Sequence, residues 1–262
     1  MSEEDPIARF DRERTERIAG FGRNRELREA STDWLRRTME LGYPYNFDWM
    51  GRPIIQYPQD IVAVQELIWS VRPDVVVETG IAHGGSLVLS ASILALVELA
   101  EATERGTVVD PAMPARKVIG IDIDVRDHNR KLIEEHPMSG RIEMIEGSSI
   151  AGETVDKVRE AVGDAGTVMV FLDSMHTHDH VLAELEAYGP MVSPGSYCVV
   201  FDSFVEDMPP KFFPDRPWDV GDNPRTALRE FLKGHPEFEI DHSIDDKLLV
   251  TVAPEGFLRR KG

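Results

Sequence analysis

Three groups of residues in this 262-residue chain have the types and spacing to do chemistry. The first is the run Glu78-Thr79-Gly80-Ile81-Ala82-His83-Gly84-Gly85-Ser86. Its glycines allow a sharp turn and close approach of a ligand to the backbone, and a helix starting after it offers free N–H groups to an anionic group. The second is Asp122, which closes the apolar run Val118-Ile119-Gly120-Ile121. An acid at such a place suits the two hydroxyls of a ribose. The third is the pair Asp173 and Asp202, with His176, His178 and His180 following the first of them. Two carboxylates with water suit a hard divalent ion such as Mg²⁺. Such an ion acidifies a substrate hydroxyl, and a nearby histidine accepts the proton.

These groups need a scaffold that brings them to one edge. Short apolar runs at 75–77, 118–121, 142–145, 168–172 and 197–201 read as strands, and the β-branched Val75-Val76-Val77 suits a buried parallel strand. Helical patterns begin near Pro58 and cover 86–102, 153–162, 178–188 and 224–233. Residues 238–240 and 248–252 read as a terminal strand pair. Strands alternating with helices predict an α/β, doubly wound, mostly parallel sheet of the Rossmann-like kind. In such a sheet the ligand crevice lies at the carboxyl ends of the strands, where all three groups fall. Residues 1–53 read as a helical arm and lid segment, and 54–262 as the cofactor-binding domain. The arm, dense in Arg/Glu alternation, is expected to lie on the main domain or on a second copy, as a homo-oligomer contact. Tyr43–Trp49 and the loop 208–223, with Phe212, Phe213 and Trp218, read as the substrate lid or as loops packed on the core.

Composition narrows the partners. Asp and Glu number 47 against 29 Lys and Arg, a net charge of −18, which disfavours nucleic acid and anionic lipid. No apolar run reaches the roughly 18 residues expected of a membrane span. The N-terminus lacks the order of a signal peptide. The single cysteine, Cys198, excludes an intrachain disulfide and a thiolate metal cluster. A cytoplasmic protein with a small-molecule substrate is expected. Zinc held by the three histidines is disfavoured, because their spacing crosses a loop-to-helix transition without a cysteine; one of them is expected to act as a base. Asp222, Asp245 and Asp246 read as solvated loop acids. The turn departs from the dinucleotide pattern GxGxxG, and Glu78 would repel a diphosphate. It suits a ligand with an ammonium instead, and S-adenosylmethionine has one, with a sulfonium and no phosphate. An NAD(P)-dependent oxidoreductase and a non-catalytic S-adenosylmethionine-binding partner in antibiotic tailoring are the rival readings.

The segments ETGIAHGGS, VIGIDID, FLDSMHTHDHV and VVFDS together resemble the cephalosporin hydroxylase family of class I methyltransferase-fold proteins. That family includes sugar and natural-product O-methyltransferases. The resemblance covers roughly residues 55–205, with Asp173-x-x-His176 as its most specific part. It implies S-adenosylmethionine held by Glu78, Gly80 and Ser86, with Asp122 on the ribose, and the turn glycines Gly84 and Gly85 are read with them as cofactor-binding. Ser148 and Ser149 resemble the adenine-edge segment of catechol-type enzymes. The resemblance further implies Mg²⁺ on Asp173 and Asp202, and His176 as general base. Members often carry Glu-Asp at the end of the fifth strand; Phe201-Asp202 stands here, so either one ligand is missing or Ser203 supplies an oxygen. The expected activity is metal-assisted O-methylation of a sugar or natural-product hydroxyl.

Overall fold

Val75-Val76-Val77 is apolar at every position because helices cover both faces of its strand, β3 (Val75–Thr79). A computed structural model describes residues 5–262, so the first four residues of the expected arm lie outside the described residues. The chain before β3 forms α1 (Pro6–Arg23), α2 (Arg25–Glu40), the hairpin β1 (Phe47–Trp49) and β2 (Arg52–Ile54), and α3 (Pro58–Val71). After it come α4 (Gly85–Arg105), β4 (Lys117–Asp122), α5 (Asp127–Glu134), β5 (Ile142–Glu146), α6 (Gly152–Val162), β6 (Val168–Leu172) and α7 (His178–Tyr188). The last elements are β7 (Tyr197–Val200), α8 (Pro224–Gly234), β8 (Phe238–Ile240), α9 (His242–Leu248) and β9 (Phe257–Arg260).

The seven-stranded sheet has the order β5-β4-β3-β6-β7-β9-β8. Strands β3 to β7 are parallel, and β9 runs antiparallel to both β7 and β8. The order reverses beside β3, between β4 and β6, so their carboxyl ends open a crevice at that point. Alternate residues point to opposite faces. Val76, Met169 and Val199 pack under α3 and α4, whereas Val77, Val170 and Val200 pack under α6, α7 and α8. Helix α4 is long and apolar enough to cross a membrane, but over half of it is buried, as expected of a helix lying on the sheet.

Two expectations change at the C-terminus. Residues 248–252 do not form the second strand of the terminal pair; the partner of β8 is β9. Leu249 ends α9 with φ +61°, and the carboxylate of Asp60 at the start of α3 takes the Val252 amide at 3.0 Å and the Thr251 hydroxyl. Those donors are therefore spent on a side chain rather than on a strand ladder. Asp245 is half-buried and accepts from the Glu255 amide, and Asp246 pairs with Arg28 of α2 at 3.3 Å, so neither is a merely solvated acid.

The arm lies on its own chain, α1 against α9, while Thr38 of α2 meets the Tyr57 hydroxyl at 2.9 Å. Ile7 and Phe10 of α1 stay exposed.

Burial raises Asp60 to a pKa of about 7, against the opposing hydrogen bonds from Thr251 and Val252. An acid whose folded pKa is raised stabilises the fold below its unfolded pKa, and that contribution is lost as pH rises through the folded value. Asn fits the same two partners without charge. The stability of Asp60→Asn relative to the wild type should therefore rise between pH 5 and pH 8, by about 3 kcal/mol. Urea denaturation at both pH values measures this; a difference independent of pH would remove the ionisation argument.

Candidate active site

The glycine-rich turn crosses the carboxyl end of β3. Gly80 has φ +91°, and a Cβ placed on it would fall 1.9 Å from the Asp173 carbonyl oxygen. Only glycine lets the turn after β3 lie against the turn after β6. Gly85 opens α4 just as tightly, where a Cβ would meet the Pro53 carbonyl at 2.2 Å, and Gly84 precedes it as the left-handed helix cap. Gly80→Ala should cost roughly 2–4 kcal/mol of stability and abolish ligand binding at this edge. Denaturant titration together with a ligand titration tests both parts. Wild-type behaviour in either would contradict the close approach.

Asp122 ends β4 and binds the turn directly. Its Oδ2 accepts from the amides of Ile81 at 2.8 Å and Ala82 at 3.4 Å, and its Oδ1 from Asp124 at 3.2 Å. The turn is clamped from outside as well. Arg52 donates to the His83 carbonyl at 2.9 Å through Nε, and Asn129 to the Ala82 carbonyl at 2.9 Å. Neither residue carries a local sequence signal, since each acts on a backbone carbonyl distant in the chain.

Glu78 lies deep in the fold. It is 3% exposed, with the Ser90 and Ser86 hydroxyls hydrogen-bonded to it, and burial raises its pKa to about 7. Ser86 sits between Glu78 and the open cavity, which it lines.

The cavity, of about 330 Å³, has Asp173, His176 and Asp202 together on its wall. One ligand atom from each of the three lies within 4.8 Å of the others. His176 Nε2 is 3.0 Å from Asp202 Oδ2, and the imidazole stands edge-on to Trp218 with centroids 4.6 Å apart. Asp202 holds φ +54°, a strained backbone for a residue with a side chain and a frequent mark of functional positions. Burial raises the Asp202 pKa, opposed by His176 and Arg216. Asp173 is raised well above the carboxylate range by burial, then by Asp202 and Glu78. Two carboxylates and an imidazole held this close, all partly buried, fit a divalent cation, which relieves the repulsion of the acids.

The other histidines go elsewhere. His178 bonds Thr226 at 2.8 Å and joins α7 to α8, and its amide is capped by Asp222 at 2.7 Å, which is therefore not simply solvated. His180 reaches Ser149 at 3.0 Å. The Ser203 hydroxyl donates to the Pro254 carbonyl at 2.6 Å in a fully buried position. Phe201, where an acid is common, is a core residue packed edge-to-face on Phe171.

A second cavity of about 240 Å³ lies on the far side of Gly80, lined by Asp122, Ile123, Ser148, Ser149 and Met175. Both cavities share Gly80, Ala82, Asp173 and Ser174, so they adjoin across the turn. Of the two segments read as a lid, Tyr45, Phe213 and Trp218 line the larger cavity. Tyr43 instead packs against Trp34, Phe47 and Tyr57. Gln56 and Arg216 also line the larger cavity and were not legible from local sequence; Arg216 lies over the Trp218 ring at 5.3 Å.

The sequence pattern of the family described as Rhamnosyl O-methyltransferase/CmcI matches residues 41–261. The rhamnosyl O-methyltransferase of Mycobacterium leprae (strain TN) is 27% identical over 217 residues, 81% of this chain and 82% of that protein. That of Mycobacterium tuberculosis (strain ATCC 25618 / H37Rv) is 26% identical over 216 residues, 81% and 77% respectively. Among solved structures, CmcI in an Mg–SAM form superposes with a TM-score of 0.53 at 17% identity, covering 83% of this chain and 78% of that one. An apo structure of CmcI gives the same score and identity, covering 83% and 77%. These likenesses establish a shared fold, the doubly wound α/β sheet of class I methyltransferases.

Proposed function

Because this chain belongs to the rhamnosyl O-methyltransferase/CmcI family, we propose that it transfers the methyl group of S-adenosylmethionine to a hydroxyl of a sugar or sugar-bearing natural product. The observation that carries this reading is the convergence of Asp173, His176 and Asp202 on a cavity that adjoins, across Gly80, the one at Asp122. In this reading Asp122 takes the ribose hydroxyls, Ser148 and Ser149 border the adenine, and the amino-acid end lies toward Ser86 and Glu78. Gly80, Gly84 and Gly85 keep the turn low enough for the ligand to cross it.

Asp173 and Asp202 would hold a divalent cation, which would orient the acceptor hydroxyl and lower its pKa. Ser203 enters that set only if its hydroxyl leaves the Pro254 carbonyl. His176 takes the hydroxyl proton as the acceptor oxygen attacks the methyl carbon. The carbon–sulfur bond would break in the same step, its electron pair passing to sulfur. Asp202, 3.0 Å from Nε2, stabilises the imidazolium that results. No covalent intermediate on the protein is required, so alignment and electrostatics supply most of the rate gain.

The mycobacterial relatives act, by their names, on rhamnosyl groups. A rhamnoside is accordingly the first acceptor to offer, and Tyr45 and Trp218 supply aromatic walls suited to a sugar face. Calorimetric titration of S-adenosylmethionine with Mg²⁺ and again with EDTA, followed by methyl transfer to rhamnosides, tests the proposal. Binding with either buffer and metal-dependent transfer are expected. Absence of binding, with NADH bound instead, would transfer the argument to a dehydrogenase.

A further inference from the structure

Gln56, on the segment between β2 and α3, is 7% exposed, and its Nε2 donates to Asp173 Oδ2 at 3.3 Å. With Asp173 ionised, as a cation held between it and Asp202 would keep it, its oxygens only accept, so the amide nitrogen faces Asp173 and the amide oxygen faces away. That oxygen, Oε1, is buried and has no partner in the protein. A buried acceptor left without a donor costs about 1–3 kcal/mol, and native folds keep few of them.

The surroundings specify the missing donor. Gln56 lines the 330 Å³ cavity and also a void of about 20 Å³ beneath the turn, which it shares with Glu78, Ser86, Ser90 and Asp173. This corner is rich in oxygen acceptors and holds no Lys, Arg or His side chain among its described lining residues. It therefore favours a cationic donor. A ligand laid across Gly80 with its ribose at Asp122 brings its opposite end to Gln56 and Ser86, since those residues line the cavity on the other side of Gly80.

Resting on the S-adenosylmethionine reading above, we propose that Gln56 is a cofactor-binding residue whose Oε1 accepts a hydrogen bond from the α-ammonium of the amino-acid end, while its Nε2 holds Asp173. One amide then couples cofactor binding to the orientation of the carboxylate that faces the acceptor. The competing partner for Oε1 is a single water, which the void is large enough to hold.

The test is calorimetric titration of wild type and Gln56→Met with S-adenosylhomocysteine, its deamino analogue, and 5′-methylthioadenosine, which lacks the amino-acid end. Wild type should prefer S-adenosylhomocysteine over the deamino analogue by roughly 10- to 100-fold, the usual span for a hydrogen bond to a charged group. Gln56→Met should lose most of that preference and still bind 5′-methylthioadenosine within about twofold of wild type, the adenosine end being untouched. Equal losses for all three ligands would mean a distorted turn and overturn the assignment. Unchanged affinity for S-adenosylhomocysteine would leave water as the partner and overturn it too. A wild-type preference near one is decisive against it even if the variant fails to fold. Wild type that binds none of the three removes the methyltransferase reading itself, a separate and recognisable result.

Discussion

Asp173→Asn should lower methyl transfer by roughly 10³-fold, about 4 kcal/mol of transition-state stabilisation, while changing S-adenosylhomocysteine affinity little. The reason is where Asp173 sits. Its amide is fixed by the Thr79 carbonyl at 3.0 Å, its carboxylate is steadied by Gln56, and it faces His176 and Asp202 across the cavity. Asn keeps this shape and removes the negative charge that would hold a cation. The raised pKa of Asp173, caused by burial and by the neighbouring acids, supplies a second readout. A divalent ion competes with the proton there, so Mn²⁺ affinity of the wild type should rise from pH 6 to pH 8. The slope should flatten in Asp173→Asn. Turnover within tenfold of wild type, or metal affinity indifferent to the substitution, would take the cation away from Asp173.

Most of the scaffold was legible because its signals are local. β3, β4, β6 and β7 announce themselves as short apolar runs rich in Val and Ile, and α3 and α8 by a proline at the first helical position. The turn at Gly80 was legible because only glycine tolerates its backbone. The C-terminal exchange was not. Leu248–Val252 has strand composition, but the carboxylate of Asp60, nearly two hundred residues earlier, takes the donors a strand would use. The same limit applies at the site. Asp173, His176 and Asp202 stand at strand ends, where position alone suggests function. Gln56, Arg52 and Asn129 act across the fold on groups far from them in sequence, and no spacing rule reveals them. Glu78 was legible as an acid beside the turn; its depth behind Ser86 depends on how α4 packs.

His176→Ala should reduce kcat by roughly 10²–10⁴ with little change in the KM for S-adenosylmethionine, the signature of a group acting in the transition state rather than in binding. Two other roles for His176 predict different patterns. As a cation ligand beside Asp173 and Asp202, its removal would weaken Mn²⁺ binding along with turnover. As a structural contact holding Trp218 edge-on at 4.6 Å, its loss would loosen the acceptor wall and raise the acceptor KM. His176→Gln separates these, since an amide still reaches Asp202 and fills the space beneath Trp218 but takes no proton near neutrality. A base requires Gln to be as inactive as Ala, with metal affinity intact in both. The rate deficit of both variants should also narrow as hydroxide becomes abundant at high pH, because solvent then accepts the proton that His176 takes in the wild type. A Gln variant restored to within tenfold of wild type at neutral pH would assign His176 to shaping the wall, and proton removal would then fall to another group facing the cavity.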